Sequence, residues 1–264
     1  MSFKDKVVWI TGASSGIGEA LSYEFARQEA NLIISSNQSD GLEKVQNKCE
    51  ELNVKCKVQV LDMMDIEKMQ SITDDLVKEF GRIDVLVNNA GVSQRSLVQE
   101  TPLAVDRKIM EIDYFGTIAL TKAVLPYMIT NGGGYIAVTS SISGKFGFPL
   151  RSAYAAAKHA LHGFFETLRA EVYDHNIKVL IAFPGRIKTN ISLNALTKDG
   201  KAHGKMDDGQ NTGITVEKCA RQYVKAMRKD KKEVLIGSTE LLMVYIHKFF
   251  PGIFYKLARK IKPT

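Results

Sequence analysis

Cysteine is scarce in this chain, with three residues among 264 (Cys49, Cys56 and Cys219). An odd, small number of thiols without metal-ligand spacing excludes a disulfide framework and a cysteine-based zinc site. The five histidines form no metal-binding pattern either, so we predict no metal. Free thiols are typical of proteins in a reducing compartment, and we expect this chain to be cytoplasmic.

Long apolar runs are also missing where a targeting signal would lie. Residues 1–6 lead directly into a strand-like segment, so we expect neither a signal peptide nor a spanning helix there.

The excess of basic over acidic residues lies in the last part of the chain. From Lys225 onward, ten lysines and arginines face three acids, and this excess equals the whole net charge of +7. A nucleic-acid-binding protein usually carries a basic stripe across its fold, so this distribution disfavours that function.

Short apolar runs alternate with helix-forming segments along most of the chain. The predicted strands are 7–10, 31–36, 55–61, 84–87, 135–138 and 177–183, and the predicted helices include 19–29, 40–52, 65–80 and 107–130. This alternation is typical of α/β proteins whose parallel sheet is covered by helices on both faces. No linker or repeat interrupts it, so we predict one domain over residues 1–238 and a tail over 239–264.

The first strand ends in a glycine-rich turn, Thr11-Gly12-Ala13-Ser14-Ser15-Gly16-Ile17-Gly18, that leads into a helix. Glycines allow a tight turn and a close approach to a pyrophosphate, and the free N–H groups of a helix N-terminus bind anions. Strand, turn and helix in this order predict a dinucleotide site. Asp62, residues 88–91, Ser141 and Pro184-Gly185 also follow predicted strands, at the edge where open parallel sheets bind ligands.

Tyr154 and Lys158 stand four residues apart in a helix-forming stretch. That spacing places both side chains on one helical face. A phenol is a poor acid or base at neutral pH, and a neighbouring ammonium favours its ionised form. Ser141 precedes this helix and can hydrogen-bond a substrate carbonyl. The three residues therefore predict acid–base chemistry at one substrate oxygen.

Together these motifs resemble the short-chain dehydrogenase/reductase family over about residues 6–237. The glycine-rich turn is similar to its cofactor turn, Asn88-Asn89-Ala90-Gly91 to its NNAG segment, and Pro184-Gly185-Arg186-Ile187-Lys188-Thr189 to its PGxxxT segment. Ser141, Tyr154 and Lys158 match its catalytic residues. Residues 192–213 and the tail are similar to the member 7 branch of the family.

The resemblance implies a doubly wound Rossmann sheet of about seven strands and a homodimer or homotetramer. It also implies a nicotinamide cofactor and a carbonyl or alcohol substrate, with Tyr154 exchanging the proton, Ser141 orienting the substrate oxygen, and Lys158 supporting Tyr154 and the nicotinamide ribose. The residues implied to bind the cofactor are Gly12, Ser14, Ser15, Gly16, Ile17, Gly18, Ser36, Asn37, Asp62, Met63, Asn89, Ala90, Gly91, Tyr154, Lys158, Pro184, Gly185, Ile187 and Thr189.

Cofactor preference depends on the residues after the second strand. NAD-binding sites usually place an acid there against the ribose 2′-hydroxyl. The segment Ser36-Asn37-Gln38 contains no acid, so nothing in it repels the 2′-phosphate of NADP, and Ser36 and Asn37 can donate to that phosphate. The arginine that many NADP-binding relatives carry is also missing. We expect NADP, with NAD as the alternative.

Asp113 departs from the family pattern, which usually has an asparagine at this position. That asparagine is credited with holding a water molecule in the proton path to the lysine. An aspartate keeps an acceptor oxygen but loses the amide donor. If ionised and close, Asp113 would raise the pKa of Lys158. We therefore count Asp113 among the catalytic residues and expect activity with an altered pH profile.

Two segments near the active-site motifs bear on the substrate. The polar segment 190–214 suits a loop that covers the substrate, although an ordinary surface loop has a similar composition. The apolar residues Phe146, Phe148, Pro149 and Leu150 lie between Ser141 and Tyr154. They predict an apolar, lipid-like ketone or alcohol without naming it.

The tail carries an apolar stripe. Its residues recur every three or four positions, with lysines off the stripe: Leu242, Tyr245, Ile246, Phe249, Ile253 and Leu257. Such a segment packs against the body or a second subunit. Alternatively, it lies on a membrane surface and helps an apolar substrate to enter.

Two other functions fit less of the sequence. A dinucleotide-binding sensor or scaffold without turnover would not need Ser141, Tyr154 and Lys158, and only Asp113 favours it. A nucleotide-sugar epimerase or dehydratase usually has a larger C-terminal substrate domain, for which little chain remains. The sequence therefore predicts an oxidoreductase that acts on a small molecule.

Overall fold

The computed structural model describes residues 2–260, and in this part of the chain seven parallel strands form a single sheet. They are β1 (Val7–Thr11), β2 (Asn31–Ser36), β3 (Cys56–Val60), β4 (Val85–Asn88), β5 (Gly134–Thr139), β6 (Ile177–Pro184) and β7 (Glu233–Ile236). Their order is β3-β2-β1-β4-β5-β6-β7, so the direction of winding reverses between β1 and β4. The predicted doubly wound sheet of about seven strands is confirmed.

Helices connect the strands and cover both faces of the sheet. They are α1 (Gly16–Ala26), α2 (Ser39–Glu50), α3 (Met69–Phe80), α4 (Leu103–Met110), α5 (Gly116–Thr130), α6 (Ser152–Glu171), α7 (Asp208–Asn211), α8 (Val216–Arg228), α9 (Leu242–Phe249) and α10 (Pro251–Ala258). The helix expected over 107–130 is interrupted by a π-helical turn, Glu111–Phe115, between α4 and α5. Such turns are frequent at functional sites.

Helix α1 begins at Gly16, three residues before the predicted start. The sequence prediction began the helix after the last glycine of the turn, and glycine is a poor helix former. The structure requires glycine at Gly18 for another reason. A Cβ atom there would lie 2.2 Å from the carbonyl oxygen of Gly12. Close packing of the turn therefore overrides helix propensity.

Alternate side chains of each strand pack on opposite faces of the sheet. Val8 and Ile10 of β1 pack with residues of α1, α2 and α8, whereas Val7 and Trp9 pack with residues of α3, α5 and α6. All four side chains are at most 5% exposed. The two buried layers fix the sheet, and the polar segments that follow β1, β4, β5 and β6 lie at the same edge of it.

The tail packs on the body through a face different from the predicted stripe. Phe254 of α10 is 2% exposed and contacts Phe146 and Ile142, with Ile246 beside them. The other five residues of the stripe are at least 40% exposed. None of the helices between residues 2 and 260 combines the length and the apolar character that a membrane crossing requires.

Candidate active site

A cleft of about 780 Å³ opens at the carboxyl ends of the strands. All the predicted site residues lie on its wall except Gly18 and Asp113. Gly18 is buried in the first turn of α1, and Asp113 is completely buried next to the wall residue Lys158. Residues from six separate segments of the sequence therefore meet at one site.

The glycine turn is shaped for a ligand that approaches its backbone. Gly12 has a φ of +64°, and a Cβ atom there would lie 2.8 Å from the Cα of Ala90. The side-chain amide of Asn89 donates to the carbonyl oxygen of Thr11 over 3.1 Å and holds the turn against β4. Ser15, the N-cap residue of α1, makes no side-chain capping hydrogen bond. The first N–H groups of α1 thus fit the pyrophosphate of a dinucleotide.

The wall beyond β2 is polar and carries no acid. Ser36 and Asn37 line the cleft, and the hydroxyl of Ser14 donates to the hydroxyl oxygen of Ser36 over 2.9 Å. That contact ties the glycine turn to the end of β2. A ribose bound there would meet hydroxyl and amide groups rather than a carboxylate.

Ser141, Tyr154 and Lys158 come together because the segment after β5 packs on α6, where the Ser140 hydroxyl donates to the carbonyl oxygen of Lys158 over 3.0 Å. Ser141 lies two residues beyond β5, and its hydroxyl oxygen accepts a hydrogen bond from the Ser143 N–H over 3.1 Å, which leaves the hydroxyl proton available. Tyr154 is in the first turn of α6, and the Lys158 ammonium lies 5.6 Å from its ring centre. The Lys158 ammonium also donates to the carbonyl oxygen of Thr139 over 3.2 Å.

The π-helical turn places Asp113 directly against Lys158. One carboxylate oxygen of Asp113 accepts from the Val92 N–H over 2.7 Å, and the other lies 3.1 Å from the Lys158 ammonium. Asp113 is 0% exposed and Lys158 is 4% exposed. Asp113 is therefore close enough to Lys158 for the expected effect on the pH profile.

The two buried charges shift each other's titration. Burial raises the pKa of the Asp113 carboxyl above its ordinary value, and the Lys158 charge and the Val92 N–H only partly offset this. Burial lowers the pKa of the Lys158 ammonium, but the charge of Asp113 and the neighbouring Tyr154 outweigh it, so the pKa of Lys158 is raised. The raised pKa of Lys158 favours its ammonium form beside Tyr154.

The segment 190–214, expected to cover the substrate, contributes Asn190, Ile191 and Asn194 to the cleft wall. It is tied down by Asp207, which is 5% exposed and accepts hydrogen bonds from Arg95 and, over 2.9 Å, from Arg151. The sequence prediction missed Arg95, Arg151 and Asp207, because a charged side chain in a polar loop is usually solvated.

Two of the four apolar residues that predicted an apolar substrate line the cleft. Phe146 and Phe148 line the cleft together with Met243 of α9. Pro149 instead borders a neighbouring groove beneath the tail, and Leu150 lies on neither surface. Leu150 has a φ of +67° in the turn before α6, and neither Leu150 nor Pro149 contributes to the cleft wall.

Comparison with known proteins agrees with this site. The family model described as short chain dehydrogenase matches residues 6–200. Dehydrogenase/reductase SDR family member 7B of Xenopus tropicalis is 38% identical over 99% of this chain and 89% of its own length.

Two solved structures are similar across most of the chain. An alcohol dehydrogenase of Thermococcus sibiricus, complexed with 5-hydroxy-NADP, is 26% identical with a TM-score of 0.77, covering 89% of this chain and 97% of its own. A short chain dehydrogenase/reductase of Burkholderia phymatum, in complex with NAD, shares the fold at 19% identity with a TM-score of 0.84, covering 100% and 98%.

These findings favour an enzyme over a dinucleotide-binding sensor without turnover. The sheet order, the glycine turn with its uncapped helix, and the long match to named dehydrogenases and reductases agree with one another. The protein is an oxidoreductase that uses a nicotinamide dinucleotide and a small-molecule substrate, and it belongs to the short-chain dehydrogenase/reductase family.

Proposed function

We propose that this enzyme transfers a hydride between NADP(H) and an apolar ketone or secondary alcohol, with Tyr154 as the acid and base. One observation carries the proposal. Ser141, Tyr154 and Lys158 lie on the wall of the same cleft that receives the uncapped N-terminus of α1. A cofactor held by that N-terminus and a substrate held by Ser141 would therefore share one enclosed space.

The chain's own residues divide between holding the cofactor and handling the proton. The α1 N-terminus would hold the pyrophosphate, and Ile187 and Thr189 the nicotinamide end; when bound, the nicotinamide supplies or accepts the hydride. Ser141 donates its hydroxyl hydrogen bond to the substrate oxygen. Tyr154 gives that oxygen a proton in reduction and takes one in oxidation. Lys158 stabilises the negative charge that develops on the phenol oxygen.

The preference for NADP follows from what surrounds the end of β2. Ser14, Ser36 and Asn37 line this part of the cleft, and the segment after β2 contains no acid that would repel a 2′-phosphate. The similar alcohol dehydrogenase of Thermococcus sibiricus was solved with an NADP derivative, which supports the same choice.

Titration with NADPH and NADH, followed by nicotinamide fluorescence, tests the cofactor first. We expect NADPH to bind more tightly, and the NADPH complex to reduce members of a panel of apolar ketones. Equal affinity for the two cofactors would overturn the NADP preference alone. Tight NADPH binding without turnover of any ketone or alcohol would overturn the proposed chemistry.

The exposed face of the tail supports a peripheral contact with membranes. Leu242, Phe249, Phe250 and Ile253, on and between α9 and α10, are 55–62% exposed, and exposed lysines flank them. Apolar side chains beside basic ones suit the surface of an anionic bilayer. We propose that the otherwise cytoplasmic protein binds membranes through this face, where an apolar substrate is concentrated.

Flotation with vesicles that contain an anionic lipid tests this contact. Because Phe254 anchors the tail to the body, a double substitution Phe249→Glu and Ile253→Glu is preferable to truncation. We expect the wild-type protein to float and the double variant to remain at the bottom. Val98→Glu, at a separate residue that is 74% exposed, serves as the matched control. Equal flotation of wild type and double variant would remove the membrane hypothesis.

We further propose a homodimer or homotetramer, as the family resemblance implies. A second copy that covered the exposed stripe on α9 and α10 would take the place of the membrane contact, so the two are alternatives for this surface. Light scattering on the purified protein measures the assembly directly. A mass equal to one chain at micromolar concentration would refute this proposal.

A further inference from the structure

The first turn of α6, which carries Tyr154, is held from outside the helix. Arg151, the N-cap residue, makes no side-chain capping hydrogen bond. Instead, the side-chain oxygen of Gln94 accepts from the Ala153 N–H over 2.8 Å and from the Tyr154 N–H over 3.4 Å. Gln94 is 0% exposed. Two N–H groups that α6 itself cannot satisfy therefore depend on one side chain that lies 59 and 60 residues earlier.

Gln94 is itself fixed on every side. Its side-chain nitrogen donates to the hydroxyl oxygens of Ser152, Ser96 and Thr101 over 3.2–3.3 Å. Its backbone forms a β-bridge with Leu196, in the segment 190–214 that contributes to the cleft wall. Because these contacts restrict the motion of the Gln94 side chain, they also restrict the first turn of α6, which Gln94 binds.

Residues 89–94 contact the glycine turn, Asp113 and α6. Asn89 holds the glycine turn, the Val92 N–H donates to Asp113 over 2.7 Å, and Gln94 binds α6. Lys158 lies a full turn beyond Tyr154 and has its own contacts with Asp113 and Thr139. Loss of the Gln94 contacts would thus displace Tyr154 while leaving Lys158 and the glycine turn in place.

We propose that Gln94 is a positioning residue, which sets the placement of Tyr154 relative to Ser141 and Lys158. This inference rests on the proposed function of Tyr154. Gln94 does not reach the reacting atoms. It acts by accepting hydrogen bonds from the Ala153 and Tyr154 N–H groups in the first turn of α6. A misplacement of about 1 Å in a catalytic group costs about a hundredfold in rate.

Two substitutions of similar length separate this role from a structural one. Gln94→Met removes all the hydrogen bonds, whereas Gln94→Glu keeps an acceptor at a helix N-terminus, where negative charge is favourable, and the three hydroxyls can turn to donate to it. We expect kcat to fall about tenfold to a hundredfold in Gln94→Met and less than about fivefold in Gln94→Glu. The dissociation constant for NADPH should stay within about twofold in both, because the glycine turn is untouched.

The matched control is Thr215→Ala. Thr215 caps α8 by accepting from the Lys218 N–H over 3.3 Å, and α8 carries none of the proposed site residues. Losing this cap should lower the unfolding temperature by a few degrees and leave kcat unchanged. Wild-type kcat in Gln94→Met, or an equal loss in Gln94→Glu, would overturn the proposal.

Hydrogen exchange supplies a readout that does not depend on turnover. In Gln94→Met, the amides of residues 153 and 154 should lose protection that Gln94→Glu retains. Unchanged exchange in Gln94→Met would overturn the inference by itself. If instead the wild-type protein turns over no ketone or alcohol, the proposed function fails, and the exchange data still decide whether Gln94 holds α6.

Discussion

Replacing Tyr154 with phenylalanine should reduce kcat about 10²- to 10⁴-fold, the range typical of a lost general acid or base. The phenol oxygen is the only atom removed, so the ring keeps its place on the cleft wall, where it is 8% exposed. The affinity for NADPH should stay nearly unchanged because the α1 N-terminus does not depend on Tyr154. The measurement is steady-state reduction of the best ketone from the panel, together with fluorescence titration of NADPH.

Tyr173→Phe is the matched control for this experiment. Tyr173 is 81% exposed after the end of α6, away from the cleft wall, and its variant should keep wild-type kcat. If Tyr154→Phe retained more than about a tenth of wild-type kcat, another group would have to exchange the proton. In that case the roles assigned to Ser141 and Lys158 would need revision as well.

The second large effect is on stability. Lys158→Met should lower the free energy of unfolding by about 3–5 kcal/mol at neutral pH, because it leaves the completely buried Asp113 carboxylate without its ammonium partner. Lys178→Met is the control. Lys178 lies 3.3 Å from Asp230, but both side chains are about 40% exposed, so its loss should cost no more than about 1 kcal/mol. Denaturant unfolding of the cofactor-free proteins measures both values.

The loss of unfolding free energy in Lys158→Met should grow as the pH rises. Burial already raises the pKa of Asp113, and removing Lys158 removes the charge that opposes this effect. A carboxyl whose pKa is higher in the folded than in the unfolded protein contributes stability at low pH, and this contribution is lost as the pH rises through the folded-state pKa. The variant should therefore be closest to wild type under acidic conditions.

A second substitution identifies the source of the deficit. Adding Asp113→Asn to Lys158→Met replaces the buried carboxylate with a neutral amide of similar shape, so most of the lost stability and the pH dependence should disappear. A double variant as unstable as Lys158→Met at every pH would show that lost packing of the lysine stem, rather than the orphaned charge, causes the deficit. In wild-type protein, Asp113→Asn should also alter the pH profile of kcat, because Asp113 contributes to the raised pKa of Lys158.

The parts of the site that sequence reasoning located have local patterns. The glycine turn lies between a strand and a helix, and Tyr154 and Lys158 are four residues apart. The pair gained its interpretation from the other motifs that follow strands at the same edge of the sheet. All six predicted strands agree with the structure within one residue at each end. Strand β7 was not located because it has four residues, begins with an exposed glutamate and is only partly buried.

The parts that sequence reasoning missed depend on contacts between distant residues. Gln94 meets α6 across about 60 positions, and Arg95 meets Asp207 across 112. In a single sequence, a polar residue in a loop has no pattern that separates a buried partner from a solvated one. The π-helical turn at Asp113 was also missed, because its sequence continues a helical pattern on both sides, although the effect of Asp113 on Lys158 was expected.

The order of strands in the sheet also bears on how the protein is made. Strands β1, β2 and β3 lie within the first 60 residues and can pair as soon as they leave the ribosome. The free edge of β1 is covered only when β4 arrives, and the last strand ends at Ile236. Until β4 is made, the growing chain exposes the edge of the apolar strand β1, and an exposed strand edge favours aggregation. A delay in synthesis after residue 60 would therefore put the nascent protein at greatest risk.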